Sequence, residues 1–155
     1  MFLKQLELKN YRNYKDLKIN FKSNITLITG KNAQGKTNLI ESIQFLASLN
    51  SNRAKTDNEL ILWDKDFATI NGLLTKDTSD LELNVILNPP KRKILKVNGI
   101  NKGKASEFIK HLSVVSFSVN DLLLLRGTPD DRRGWLDLAI SQTENDYNLI
   151  YSSRW

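Results

Sequence analysis

At 155 residues, 40% of them hydrophobic and 26% charged, the chain is the size of one domain and can bury an ordinary core, so a disordered composition is excluded. It has no cysteine, which excludes disulfides, thiolate metal sites and cysteine nucleophiles and fits a reducing cytoplasm. The net charge of +6 is local: Lys91, Arg92, Lys93, Lys96, Lys102 and Lys104 lie between Asn88 and Lys104 with no acid among them, and the remaining basic residues balance the 17 acids.

The opening MFLKQLELKNYRNYKDLK is interrupted by charge every two or three residues, so it holds no signal-peptide apolar region, and no run approaches the ~18 apolar residues of a membrane span. Leu6 and Leu8, then Leu17, Ile19 and Phe21, alternate with polar neighbours and predict two half-buried strands joined by the turn NYRNYK. Ile25 to Thr29 is β-rich without a polar face and predicts a central strand covered on both sides. From Thr37, Leu39, Ile43 and Leu46, with Ile40 and Ala47 beside them, recur in steps of three and four and predict a helix of about three turns.

A polar connection, SLNSNRAKTDNE, leads to FATINGLL, LELNVIL and RKILKV, three alternating segments that predict an antiparallel sheet, with Asn98-Gly99 suited to a tight turn at its far end. The basic strip lies here, and two readings of it stand: an electrostatic footprint for nucleic acid, or lysines guarding a hairpin edge against strand pairing. Ala105, Phe108, Ile109 and Leu112 predict a helix over 104–112, and SVVSF is another candidate for a buried strand. Thr128, Pro129 and Asp131 fit an N-cap, a first helical position and a capping acid, so a further helix is expected from residue 129, with Leu136, Ala139 and Ile140 on its apolar face. Arg133 and Asp137, one turn apart, suit a surface pair.

Between the first apolar run and the first helix stands GKNAQGKT, which matches G-x-x-x-x-G-K-[ST] at Gly30, Gly35, Lys36 and Thr37. The glycines let such a loop wrap so that backbone N–H groups point inward, and the helix N-terminus adds partial positive charge. Lys36 would reach the β and γ phosphates and the Thr37 hydroxyl would ligate Mg²⁺. A guanine-specific protein of the small GTPase type would carry Asn-Lys-x-Asp, whereas Asn101-Lys102-Gly103-Lys104 ends in lysine, so ATP is the expected nucleotide. Hydrolysis further needs an acid at a strand end and a group that orients water. SVVSFSVND offers only the single acid Asp121, and the chain reads as half of a catalytic site.

LELKNYRNY, ITLITGKNAQGKTNLIESIQFL, SNRAKTDNELI, VNG and VVSFSVNDLLLLRGTPDDRRGWLDLAI, in that order, resemble the N-terminal portion of the RecF family of bacterial recombination mediators. GKNAQGKTN alone indicates the wider SMC and ABC-type ATPase group, whereas RGTPDDRRGWLD resembles a run of the RecF family itself. The resemblance implies an α/β fold, a P-loop NTPase of ABC/SMC-head type with an antiparallel β lobe, truncated before its second half. Residues 1–50 would be the hairpin, phosphate-loop strand and helix, 60–100 the antiparallel lobe, 104–127 a helix and core strand, and 128–155 the start of a helical lobe. The signature loop and acidic Walker B strand would lie beyond Trp155.

It also implies an ATP-dependent homodimer on DNA, at gapped duplex and single strands, with RecR and RecO type mediators as partners in loading recombinase. The setting would be cytoplasmic and away from membranes, in DNA repair, replication and the SOS response to DNA damage. ATPase activity would be weak in the full-length protein and absent from this fragment alone. Carried over by position, Gly30, Lys31, Asn32, Ala33, Gln34, Gly35, Lys36 and Thr37 would bind ATP, with Lys36 and Thr37 catalytic. Arg12 and Asn13 would approach the nucleotide, and Arg53, Lys91, Arg92, Lys93 and Lys96 would contact DNA. Val119-Asn120-Asp121-Leu122 stands where the family has Pro-Glu-Asp-Leu, which puts a metal-supporting role of Asn120 in doubt. Tyr11 and Tyr14 either stack on adenine or pack the hairpin. The competing functions are the ATP-binding subunit of a transport ATPase, which shares the loop, and a small-molecule kinase, for which the antiparallel insertion at 67–97 would be unusual.

Overall fold

Period-two alternation in the first twenty residues produces a hairpin, β1 (Phe2–Tyr11) and β2 (Tyr14–Asn20), in which Leu6 pairs with Ile19 and Leu8 with Leu17. The computed structural model of the chain describes residues 1–76, 79–117 and 128–143. After the hairpin come helix α1 (Lys36–Ser48), a 3₁₀ turn at Asp57–Leu60, strands β3 (Ala68–Lys76), β4 (Ser79–Leu87), β5 (Ile94–Val97) and β6 (Ile100–Lys102), and helices α2 (Ala105–Ile109) and α3 (Pro129–Thr143).

All six strands form one antiparallel sheet in the order β2-β1-β3-β4-β5-β6. The neighbours in space are neighbours in sequence except at β1 and β3, where Leu3 to Lys9 run against Leu74 to Thr69 and join the hairpin to the later meander. Asn98 (φ 49°) and Gly99 (φ 77°) form the β5–β6 turn in the left-handed region that this dipeptide tolerates.

Leu6, Leu8, Ile70, Leu74, Leu83, Val85, Leu87, Leu95 and Val97 present one buried face of the sheet. Against it lie Leu39, Phe45, Leu46 and Ala47 of α1 and Phe108 of α2. Each large apolar side chain so buried contributes about 1.5–3 kcal/mol. Helix and sheet approach closely at Gly72, where a Cβ would overlap the Cδ2 of Leu46. Glycine in mid-strand is therefore a packing requirement here.

Two expected strands are absent. Residues 25–29 and 113–117 have no regular secondary structure; Ile25 and Leu27 are 85% and 84% exposed, Val115 97% and Phe117 80%. An apolar run becomes a central strand only if partners satisfy its backbone on both edges, and among the described residues neither segment has them. The second helix is also shorter than the 104–112 expected, although Leu112 remains in the core. Helix α3 starts at Pro129 as anticipated, and Arg133 bonds Asp130 at 2.5 Å.

Candidate functional site

The octet Gly30–Thr37 wraps onto the start of α1. Gly30 (φ 150°) and Gly35 (φ 96°) adopt backbone conformations open to glycine, and Ala33 (φ 64°) is left-handed as well. Gly35 is constrained twice, because a Cβ there would also lie 2.5 Å from Asn13 Nδ2 and 2.9 Å from the Tyr14 hydroxyl. The Lys36 side chain folds back over the loop and its Nζ donates to the carbonyls of Gly30 and Lys31, both at 2.6 Å. An ammonium has three donors, so one remains for an anion above the loop.

Asn32 to Asn38, with Arg53, line a hollow of about 280 Å³. Backbone donors, a helix N-terminus and a centred ammonium are what a polyphosphate needs. Thr37 is an exposed residue lining this hollow, and its hydroxyl is the group suited to a Mg²⁺ ion shared with the phosphates. Among the described residues no cluster of three His, Cys, Asp or Glu could hold a metal alone.

Asn13 lies against the phosphate loop: its Nδ2 donates to the Gln34 carbonyl at 3.4 Å and its Oδ1 accepts from Asn38 Nδ2 at 2.8 Å. Arg12, at φ 53° in the two-residue hairpin turn, turns its guanidinium to Glu41 and the Glu59 carbonyl. Its Nε and Nη2 donate to the Glu41 carboxylate at 3.0 and 2.6 Å, and Nη1 to the Glu59 carbonyl at 2.8 Å. A non-glycine residue in the left-handed region costs of order 1 kcal/mol, which these charge-assisted bonds offset. Beneath the turn, Tyr11 is fully buried and its hydroxyl has no hydrogen-bond partner among the described residues. Burial first, and the Glu41 carboxylate second, push its pKa well up, the nearby Arg12 guanidinium drawing it partly back.

The segment 51–62, which takes in most of the polar connection SLNSNRAKTDNE, is laced to this turn. Arg12 N–H donates to the Leu60 carbonyl and Leu62 N–H to that of Asn10, both at 2.8 Å, and Thr56 N–H caps the 3₁₀ turn through Glu59 Oε1 at 3.2 Å. That lacing carries Arg53 to the phosphate-loop hollow, where Nη1 donates to Asn38 Oδ1 at 2.8 Å and Glu41 Oε2 at 3.3 Å. The sequence reading missed Glu41, Asn38 and Ser51 altogether. A buried acid on the packed stretch of an otherwise amphipathic helix is the clue that could have found the first of them.

The basic strip is not one surface. Lys91, Arg92 and Lys104 are exposed and Lys96 and Lys102 half-buried, whereas Lys93 pairs with Asp57 at 3.0 Å and lies 5.4 Å from the Phe45 ring centre. Lys93 thus ties β5 to the 51–62 segment. Asn120, Asp121 and Arg126 lie outside the described residues.

The AAA ATPase domain family matches residues 1–129. The chain is similar to the DNA replication and repair proteins RecF of Natranaerobius thermophilus, at 45% identity over 96% of this chain and 39% of that one, and of Bacillus cytotoxicus, at 43% over 92% and 38%. It therefore spans about two fifths of the length of the curated relatives it matches. Among solved structures it is similar to the recombination mediator RecF-ATP of the RecFOR pathway, with a TM-score of 0.90 and 32% identity over 96% of this chain and 40% of that one. A chain from work on ATP-driven dimerisation and DNA-stimulated activation of SMC ATPases shares the fold, with a TM-score of 0.72 at 21% identity over 90% of this chain and 99% of that one.

Proposed function

The chain belongs to the AAA ATPase domain family, and from that premise we propose that it is the N-terminal part of a RecF-type ATPase head that binds ATP on Gly30–Thr37 and acts in DNA replication and repair. The observation that carries this reading is the loop itself, with the Lys36 ammonium bonded over it at 2.6 Å from two carbonyls. The similarity to the RecF-ATP structure supports ATP as the nucleotide. Thr37 is assigned to Mg²⁺, Asn13 to holding the loop, and Arg53, at the hollow's rim, to phosphate before DNA.

In the complete protein, ATP would clamp two copies together on DNA at single-strand gaps, where they help RecO and RecR type mediators load recombinase in the cytoplasm. Of Lys91, Arg92, Lys93 and Lys96, the exposed Lys91 and Arg92 are then the ones offered to DNA backbone. The test is filter retention of gapped DNA by the complete protein with ATP, with GTP and with Lys36→Ala. ATP-dependent retention that Lys36→Ala abolishes is expected; retention indifferent to ATP and to Lys36 would refute the proposal. The 155-residue chain should bind ATP at most weakly and not turn it over, because it holds one half of the catalytic site.

A further inference from the structure

Glu41 sits in the second turn of α1 with its side chain 5% exposed. A carboxylate so placed is costly unless its oxygens are bonded and its charge is met. Here four donors converge on it: Arg12 Nε and Nη2 at 3.0 and 2.6 Å, Ser51 Oγ at 2.6 Å and Arg53 Nη1 at 3.3 Å. The two arginines are held unequally. Arg12 is 18% exposed, makes two bonds to the carboxylate and a third to the Glu59 carbonyl, and so cancels the acid's charge in place. Arg53 is 48% exposed, makes one long contact to the acid and one to Asn38, both through Nη1, and lines the phosphate-loop hollow.

Two positive charges on one negative leave an excess of one, and it sits on the arginine at the rim. The geometry points to Glu41 as a positioning residue: with Arg12 as its fixed counter-ion, it aims the Arg53 guanidinium at the nucleotide's phosphates and leaves Nε and Nη2 of Arg53 to meet them. Ser51 serves the same end. Its hydroxyl donates to Glu41 while accepting the backbone N–H groups of Arg53 and Ala54 at 3.0 and 3.1 Å, so the carboxylate also fixes the chain that carries Arg53. A glutamine at 41 would keep the shape but could satisfy neither both guanidiniums nor their charge.

The inference rests on the ATP reading, and the two fail differently. Dissociation constants for ATP and adenosine are measured for the complete protein and its Lys36→Ala, Arg53→Ala, Glu41→Gln and Glu41→Gln/Arg53→Ala variants, with circular dichroism confirming the fold. Glu41→Gln is expected to weaken ATP about tenfold, leave adenosine unchanged, and add nothing once Arg53 is gone. ATP binding that needs Lys36 but ignores Glu41→Gln overturns the inference alone, as does equal weakening of ATP and adenosine, which would mark a merely structural role. A complete protein with no ATP binding, or with binding indifferent to Lys36, removes both. If Glu41→Gln does not fold, Asn38→Ala releases the second tether of Arg53 without touching the buried acid. Its expected loss of ATP affinity, about threefold, should vanish in the Arg53→Ala background, and an equal loss in both backgrounds overturns the inference.

Discussion

Replacing Gly35 by alanine should damage the phosphate loop for two separable reasons. The first is local: φ 96° is a conformation that a Cβ disfavours, at about 1–2 kcal/mol. The second is a collision, because the new methyl would lie 2.5 and 2.7 Å from the two terminal atoms of Asn13. Relieving it means giving up the Asn38–Asn13 bond of 2.8 Å or shifting the hairpin turn, at about 1–3 kcal/mol by comparison with other overpacked sites. Gly35→Ala should therefore lose about 3 kcal/mol in urea unfolding with an unchanged m value. In an Asn13→Ala background the two nearest atoms are gone, the Tyr14 hydroxyl at 2.9 Å staying, and the same substitution should cost about 1–2 kcal/mol. A cost below about 0.5 kcal/mol, or an identical cost in the two backgrounds, would refute the assignment of the loop conformation and of the Asn13 contact respectively.

Tyr11→Phe removes a buried hydroxyl that has no partner among the described residues, so thermal unfolding at pH 7 should change by no more than about 1 kcal/mol and in the stabilising direction. Because the folded chain holds the Tyr11 pKa above its ordinary value, this group's contribution is present below pH 10 and lost as pH rises beyond it; the variant should show a shallower alkaline limb. In the complete protein, Lys91→Ala and Arg92→Ala should each lower the slope of log K against log salt for DNA by about 0.9 without affecting stability. Lys93→Ala should instead cost about 1 kcal/mol of stability, read by denaturant titration, through loss of the Asp57 pair and the Phe45 contact. The exposed Ile25, Leu27, Val115 and Phe117 should bind the dye ANS and promote self-association in gel filtration. Polar replacements at all four should reduce both with the melting temperature unchanged, and an unchanged elution profile would count against their exposure.

What could be read from sequence was the local part. The hairpin, α1, the β3–β4–β5 meander, the Asn98-Gly99 turn and the start of α3 are each set by alternation, helical spacing or turn chemistry within a few residues. The phosphate loop was legible for the same reason. The pairing of β1 with β3 leaves no trace in either strand alone, because a strand's alternation says which face is buried but not what lies beside it. Ile25–Thr29 and SVVSF misled for a related reason, since apolar character predicts burial only where a partner exists. At the site, Glu41 reads in sequence as an ordinary helix acid; its meaning comes from Arg12 and Arg53, which only the hairpin turn and the laced 51–62 segment bring to it.

The seam between β1 and β3 also sets an order of events. Both the first hairpin and the later meander close through short connections, whereas Lys9 meets Thr69 only after everything between them has been drawn into a ring. That ring contains the phosphate loop, all of α1, Arg53 and the 3₁₀ turn. Closing it carries the main loop entropy of the chain, so it should be the slow step of folding, and competence to hold a nucleotide should arrive with it and not with the helix. A bound nucleotide would in turn act as a clasp on that ring, slowing its opening more than it speeds its closure.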